Sequence, residues 1–105
     1  MNIISREELK AKIERGDKFK LVMTMGEWAY NQAHIPGSVN ISDLEQAKQQ
    51  LSLDDEIIVY CANAPCPASQ AAYHYLERNG YTNIRRYAGG LEDWEEAGYP
   101  LETGD

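Results

Sequence analysis

Apolar positions along the chain follow two alternating periods. Ser5-Arg6-Glu7-Glu8 has the form of a capping box. Leu9 and Ile13 follow four apart and Gly16 stands as a stop, which predicts a first helix. Phe19 to Thr24 reads as a short apolar strand. Met25 to Ala33 reads as a short helix carrying Trp28 and Tyr30, and His34-Ile35-Pro36-Gly37 as a turn. Val39 to Ile41 is a brief strand, and Ser42-Asp43-Leu44-Glu45 a second capping box opening a helix that fades near Leu51. Ile57-Ile58-Val59-Tyr60 is a continuous β-branched run, the mark of a central strand covered on both faces. Pro67 to Asn79 then predicts a helix with Ala68, Ala71, Ala72, Tyr75 and Leu76 on one stripe, ended by Gly80. A last strand, Ile84 to Tyr87, leads through Gly89-Gly90 into a helix from Leu91 to Ala97 closed by Gly98. Strands alternating with helices predict a parallel α/β sheet.

Composition narrows the function. The chain has 105 residues without repeats, low-complexity tracts or a linker, so residues 1–105 are expected to form a single domain. Apolar residues are 43% and charged residues 26%, the balance of a globular protein. The longest apolar run, Ile57 to Ala62, is far short of the roughly 20 residues of a membrane span. No cationic segment followed by an apolar one opens the sequence, so a cytoplasmic protein is expected. Seventeen acidic residues against ten basic ones give a net charge of −7, which repels phosphate backbones and anionic lipids. Neither nucleic acid nor membrane is an expected partner.

Candidate chemistry centres on two cysteines. Cys61 directly follows the most buried strand, where open parallel sheets gather reactive groups. Cys61-Ala62-Asn63-Ala64-Pro65-Cys66-Pro67 then enters a helix N-terminus, whose free N–H groups favour an anion. A thiolate or persulfide at Cys61, reachable from solvent, fits that field. The competing reading is a small buried packing residue. The only histidines, His34 and His74, form no zinc-ligand pairing with the cysteines, and no metal is expected. The two neighbouring cysteines point to a reducing compartment.

His34-Ile35-Pro36-Gly37-Ser38-Val39-Asn40-Ile41 resembles the GHIPGAINI signature of rhodanese domains. Ile57 to Cys61 is similar to that family's strand leading to its active cysteine. Gly80-Tyr81-Thr82-Asn83-Ile84, Ala88-Gly89-Gly90-Leu91-Glu92-Asp93-Trp94 and Ala97-Gly98-Tyr99-Pro100-Leu101 resemble the end of single-domain rhodaneses. The resemblance implies a rhodanese-like α/β fold, with a central, mostly parallel five-stranded sheet and helices on both faces. It implies a rhodanese-type sulfurtransferase or sulfur carrier that forms a persulfide on Cys61 and needs no cofactor. Its partners would be a sulfur donor and an acceptor, each a small molecule or a protein thiol.

Ala62, Asn63, Ala64, Cys66, Ala68 and Ser69 are then the candidate backbone donors, while Pro65 and Pro67 stiffen the loop. Ser69 is expected as a helix cap or a solvated side chain, the alternative being a hydroxyl bond to the sulfur anion. Departures from the family pattern matter as much. The loop holds no Arg or Lys between Cys61 and Ser69, so thiosulfate, a dianion, is expected to be a poor donor beside persulfides, polysulfides or proteins. Pro67 stands where a phosphatase of this fold would need its arginine. Met23-Thr24-Met25 replaces the family's Asp-Val-Arg, which implies apolar packing there. Cys66 is either a resolving thiol that discharges the Cys61 persulfide or a small packing residue. His34 either acts as a base or fixes its turn; the aromatic residues read as core and edge packing, or as a protein-binding patch. Two other readings remain: a catalytically silent protein-binding module, and a thiol redox protein using Cys61 and Cys66.

Overall fold

The computed structural model describes residues 1–104. Five helices and four strands alternate: α1 (Arg6–Arg15), β1 (Lys20–Met23), α2 (Glu27–Gln32), β2 (Val39–Asn40), α3 (Leu44–Gln50), β3 (Ile57–Tyr60), α4 (Pro67–Arg78), β4 (Ile84–Tyr87) and α5 (Gly90–Glu96). The sheet is wholly parallel in the order β2-β1-β3-β4. Among the described residues no helix is long and apolar enough to cross a membrane.

The sheet has four strands, not the expected five. Where a fifth would lie, on the free edge of β4, only Ile3 pairs with Arg86. Arg86 N donates to Asn2 O at 2.8 Å and Ile4 N to Arg86 O at 3.1 Å. Ser5 immediately caps α1 through Glu8 N, and the chain leaves the edge after one bridge.

All four residues of β3 are buried, and their alternation divides the core. Ile57 and Val59 pack with Val22, Ile84 and the α3 and α4 side chains on one face. Ile58 and Tyr60 pack with Leu9, Met23, Tyr87 and Trp94 on the other, toward α1 and α5. A strand covered on both faces can place a buried group at its C-terminal end without exposing core.

Three local expectations change. Asp43, not Ser42, caps α3, its carboxylate accepting from Glu45 N at 3.0 Å, since a carboxylate there also meets the helix dipole. On α4 the buried stripe is Ser69, Ala72, Tyr73 and Leu76, while Ala71 faces outward; Ser69 tolerates burial because it has a partner. Trp28 is 76% exposed on α2 and belongs to no core, whereas Trp94 is buried and bonded to Pro100 O.

Candidate active site

β3 delivers Cys61 at the C-terminal end of the sheet, and α4 begins six residues later at Pro67. Tyr60 fixes the delivery. Its hydroxyl lies 2.8 Å from Ser38 Oγ and accepts from Ile35 N at 3.0 Å, so the Ile35–Ser38 turn is tied to the strand end. Burial pushes the Tyr60 phenol up to about 12, against the smaller opposing effect of those bonds. Thr24 donates from both N and Oγ1 to Tyr60 O, at 3.0 and 3.1 Å. At the Met23-Thr24-Met25 departure, Met23 is fully buried and Asn40 Nδ2 donates to Met23 O and Met25 O.

The loop is also held by α5. Leu91 N donates to Cys61 O at 3.0 Å and Glu92 N to Ala62 O at 2.8 Å. Gly90 makes this approach possible: it has φ +63°, and a Cβ there would collide with Cys61 O and lie 2.8 Å from the Ala62 carbonyl carbon. Asp93 secures α5, accepting from Tyr87 Oη at 2.6 Å and pairing with Arg6 Nη1 at 3.1 Å. Burial and the nearby Asp93 carboxylate raise the Tyr87 phenol far above its ordinary range.

Cys61 is 1% exposed, and its sulfur is bonded to Cys66 as a disulfide across Cα atoms 6.3 Å apart. Among the described residues there is no free cysteine. The expected solvent-reachable thiolate is therefore absent from this state, and Cys66, read as a possible packing residue, is instead the disulfide partner of Cys61. While that bond stands, Cys61 offers no free thiol.

Within the loop, Cys66 N donates to Asn63 O at 3.2 Å, closing a turn, so it is spent as an anion donor. Among the described residues the N–H groups of Asn63 and Ala64 donate to no protein acceptor. Pro67 and Ala68 occupy the first turn of α4 behind Cys66, which is its N-cap without a side-chain capping bond. Ala64 and Pro65 are exposed at the loop tip.

Ser69 is neither a cap nor solvated. It is 1% exposed and accepts from Arg86 Nε at 2.8 Å. Arg86, itself 6% exposed, also donates from Nη2 to Ala64 O at 2.6 Å. The loop sequence lacks a cation, yet β4 supplies one beneath it. Sequence reasoning missed this residue although the signal was there: alternation along Ile84–Tyr87 puts Arg86 on the α4 face with Ile84. His34 stacks on Tyr30 with ring centroids 3.9 Å apart, and its backbone pairs with Glu102 in both directions at 2.9 Å, which anchors the turn.

With that geometry in view, residues 5–97 match the Rhodanese-like domain family. The chain belongs to that family. It is 31% identical over 102 residues to the thiosulfate sulfurtransferase GlpE of Pseudomonas syringae, covering 95% of this chain and 92% of that protein. It is 32% identical over 103 residues to the HTH-type transcriptional regulator Rv0324 of Mycobacterium tuberculosis, covering 96% of this chain and 45% of the regulator. With the putative sulfur carrier protein YrkF of Bacillus subtilis, identity is 27% over 93 residues, covering 87% and 49%. This rhodanese-like chain thus spans about half the length of the regulator and of the carrier. Among solved structures, the rhodanese-like domain of Anabaena Alr3790 superposes with a TM-score of 0.86 at 26% identity, over 98% of this chain and 80% of that one. Human single-domain sulfurtransferase TSTD1 gives a TM-score of 0.80 at 27% identity, over 91% and 96%. Sulfurtransferase chemistry is thereby supported at the level of the family.

Proposed function

We infer that this rhodanese-like chain is a sulfurtransferase or sulfur carrier that holds a transferable sulfur as a persulfide on Cys61. The observation carrying this reading is the placement of Cys61 between the central strand and the head of α4, in a loop with unengaged N–H groups at Asn63 and Ala64. Once a dithiol has reduced the Cys61–Cys66 bond, the Cys61 thiolate attacks the outer sulfur of a persulfide R–S–SH. A Cys61 S–S bond forms, the donor S–S bond breaks, and the donor thiolate RS⁻ leaves. An acceptor thiolate then takes the outer sulfur and returns Cys61 as thiolate.

Persulfide, polysulfide or protein donors fit better than thiosulfate. An open depression of about 450 Å³ beside the loop is lined by Ala62, Leu91, Glu92, Glu95 and Glu96, an acidic rim that repels the thiosulfate dianion more than a singly charged persulfide or hydropolysulfide or a protein donor. Arg86 is committed to Ala64 and Ser69 rather than presented at the loop mouth.

Intact mass after reduction and incubation with polysulfide tests the reading. Sulfur atoms gained by the parent and lost in Cys61→Ser support it. No gain in the parent overturns it in favour of a silent binding module. Turnover with thiosulfate matching that with polysulfide would refute the donor preference.

The disulfide favours a second reading of Cys66. Its thiolate attacks the inner sulfur of the Cys61 persulfide, forms the Cys61–Cys66 bond and expels hydrosulfide. Two free thiols remaining after a loaded sample has released its sulfide would exclude that discharge.

A further inference from the structure

We propose that Arg86 is the positioning residue that supplies the sulfur loop with the positive charge its own sequence lacks, stabilising the anionic forms of Cys61. This rests on the reading of Cys61 as the sulfur-bearing residue and adds its electrostatic partner.

Two adjacent arginines on β4 set the argument. Arg85 faces α1 and pairs with Glu8 at 2.7 Å and Glu56 at 3.0 Å. Arg86 faces α4, is buried, and bonds only neutral acceptors, Ala64 O and Ser69 Oγ. Among the described residues no carboxylate forms an ion pair with it. A buried cation without a counter-ion is costly, and two neutral acceptors offset only part of that cost. What the loop gains on reduction is a negative charge. With both sulfurs in the disulfide neutral, the loop held by Arg86 carries no anion; a thiolate or persulfide at Cys61 would bring one into that loop. Its bond to Ala64 O also anchors a carbonyl followed by Pro65, a residue that brings no N–H of its own. One guanidinium therefore both shapes the turn and charges it.

The test titrates thiolate absorbance of the reduced 105-residue chain in a Cys66→Ser background, so that one thiol is observed; serine is well suited to this N-cap position. Arg86→Gln is expected to raise the Cys61 titration midpoint by about one pH unit, the low end of the effect an opposite charge within a few ångströms exerts. Arg86→Lys keeps the charge and should hold the midpoint within about 0.3 unit of the parent, as should Ser69→Ala, which removes one bond and no charge. A midpoint unmoved in Arg86→Gln overturns the proposal, and so does Arg86→Lys shifting as far as Gln. If Arg86→Gln does not fold, Lys and Ala decide: an upward shift in both means that loop shape, not charge, sets the midpoint, and the proposal falls. Sulfur uptake followed by mass on the same samples separates the two readings. Uptake failing in the parent sinks the persulfide, while an unmoved midpoint with full uptake sinks Arg86 alone.

Discussion

The two ends of the sheet treat charge in opposite ways. At the N-terminal end of β3, Glu56 accepts from Lys12 Nζ at 2.7 Å and from Arg85 Nη2 at 3.0 Å, and Arg85 continues to Glu8. Each of those cations has a carboxylate partner. At the C-terminal end Arg86 lies under the cysteine loop with neutral partners only. A hollow of about 530 Å³, larger than the depression beside the loop, also lies at the N-terminal end, among Asp17, Lys18, Lys20, Asp54 and Asp55, where no cysteine stands. Hollow size and the proposed sulfur site thus fall at opposite ends of the sheet, and the unpaired buried cation falls with the cysteines. Paired ions at one end contribute to folding, whereas the proposal gives the uncompensated one at the other end an anion on Cys61 to stabilise.

The comparison breaks most severely at Gly90. Alanine there carries a Cβ into Cys61 O and requires a left-handed φ, which together should cost about 2–4 kcal/mol. Urea denaturation should show that loss. Sulfur uptake should fall with it even where the protein is folded, because Leu91 and Glu92 can no longer hold the carbonyls of Cys61 and Ala62. Unchanged stability and unchanged uptake together would show that the loop does not depend on α5.

Glu56→Gln probes the other end. It leaves Lys12 and Arg85 without their shared carboxylate in a partly buried setting, at a cost of about 1–2 kcal/mol. Sulfur uptake per folded molecule should stay at the parental value, since Glu56 touches nothing in the cysteine loop. A fall in uptake without a fall in stability would erase the division between the two ends.

What the sequence made legible follows from periodicity. The run Ile57–Tyr60 could only be a covered strand, and Cys61 after it could only stand at the sheet's C-terminal end. The fold followed from such local patterns, save the fifth strand, which depends on whether Ile3 pairs before Ser5 starts a helix. The site was less legible. Composition of the loop alone suggested an uncharged cradle, because Arg86 lies 25 residues from Cys61 and joins the loop only through the β3–β4 pairing. Ser69 looked like a cap because polar residues near helix starts usually are; its burial depends on a partner on β4. Gly90 stood out only as half of the Gly89-Gly90 pair leading into the last helix, and the approach of Cys61 O shows why a side chain is not tolerated there. The Cys61–Cys66 bond likewise hinges on the path of the intervening turn closed by Cys66 N and Asn63 O.

The smallest effect is acid sensitivity at the paired end. Burial raises the Glu56 carboxyl, but the bonds from Lys12 and Arg85 and their charges more than offset this, leaving it below the ordinary value. Between the lowered folded value and the ordinary unfolded one, the unfolded chain binds more protons, so acid favours unfolding there. The contribution of Glu56 is thus complete above the ordinary carboxylate range and is lost as pH falls through its folded value. Other carboxylates titrate in the same window, so the informative quantity is the stability difference between parent and Glu56→Gln. That difference should be steady near neutrality and shrink on acidification, in urea melts taken at successive pH values. A difference that stays constant into acid would mean that Glu56 stabilises by shape rather than charge, and the contrast between the two ends would lose its electrostatic basis.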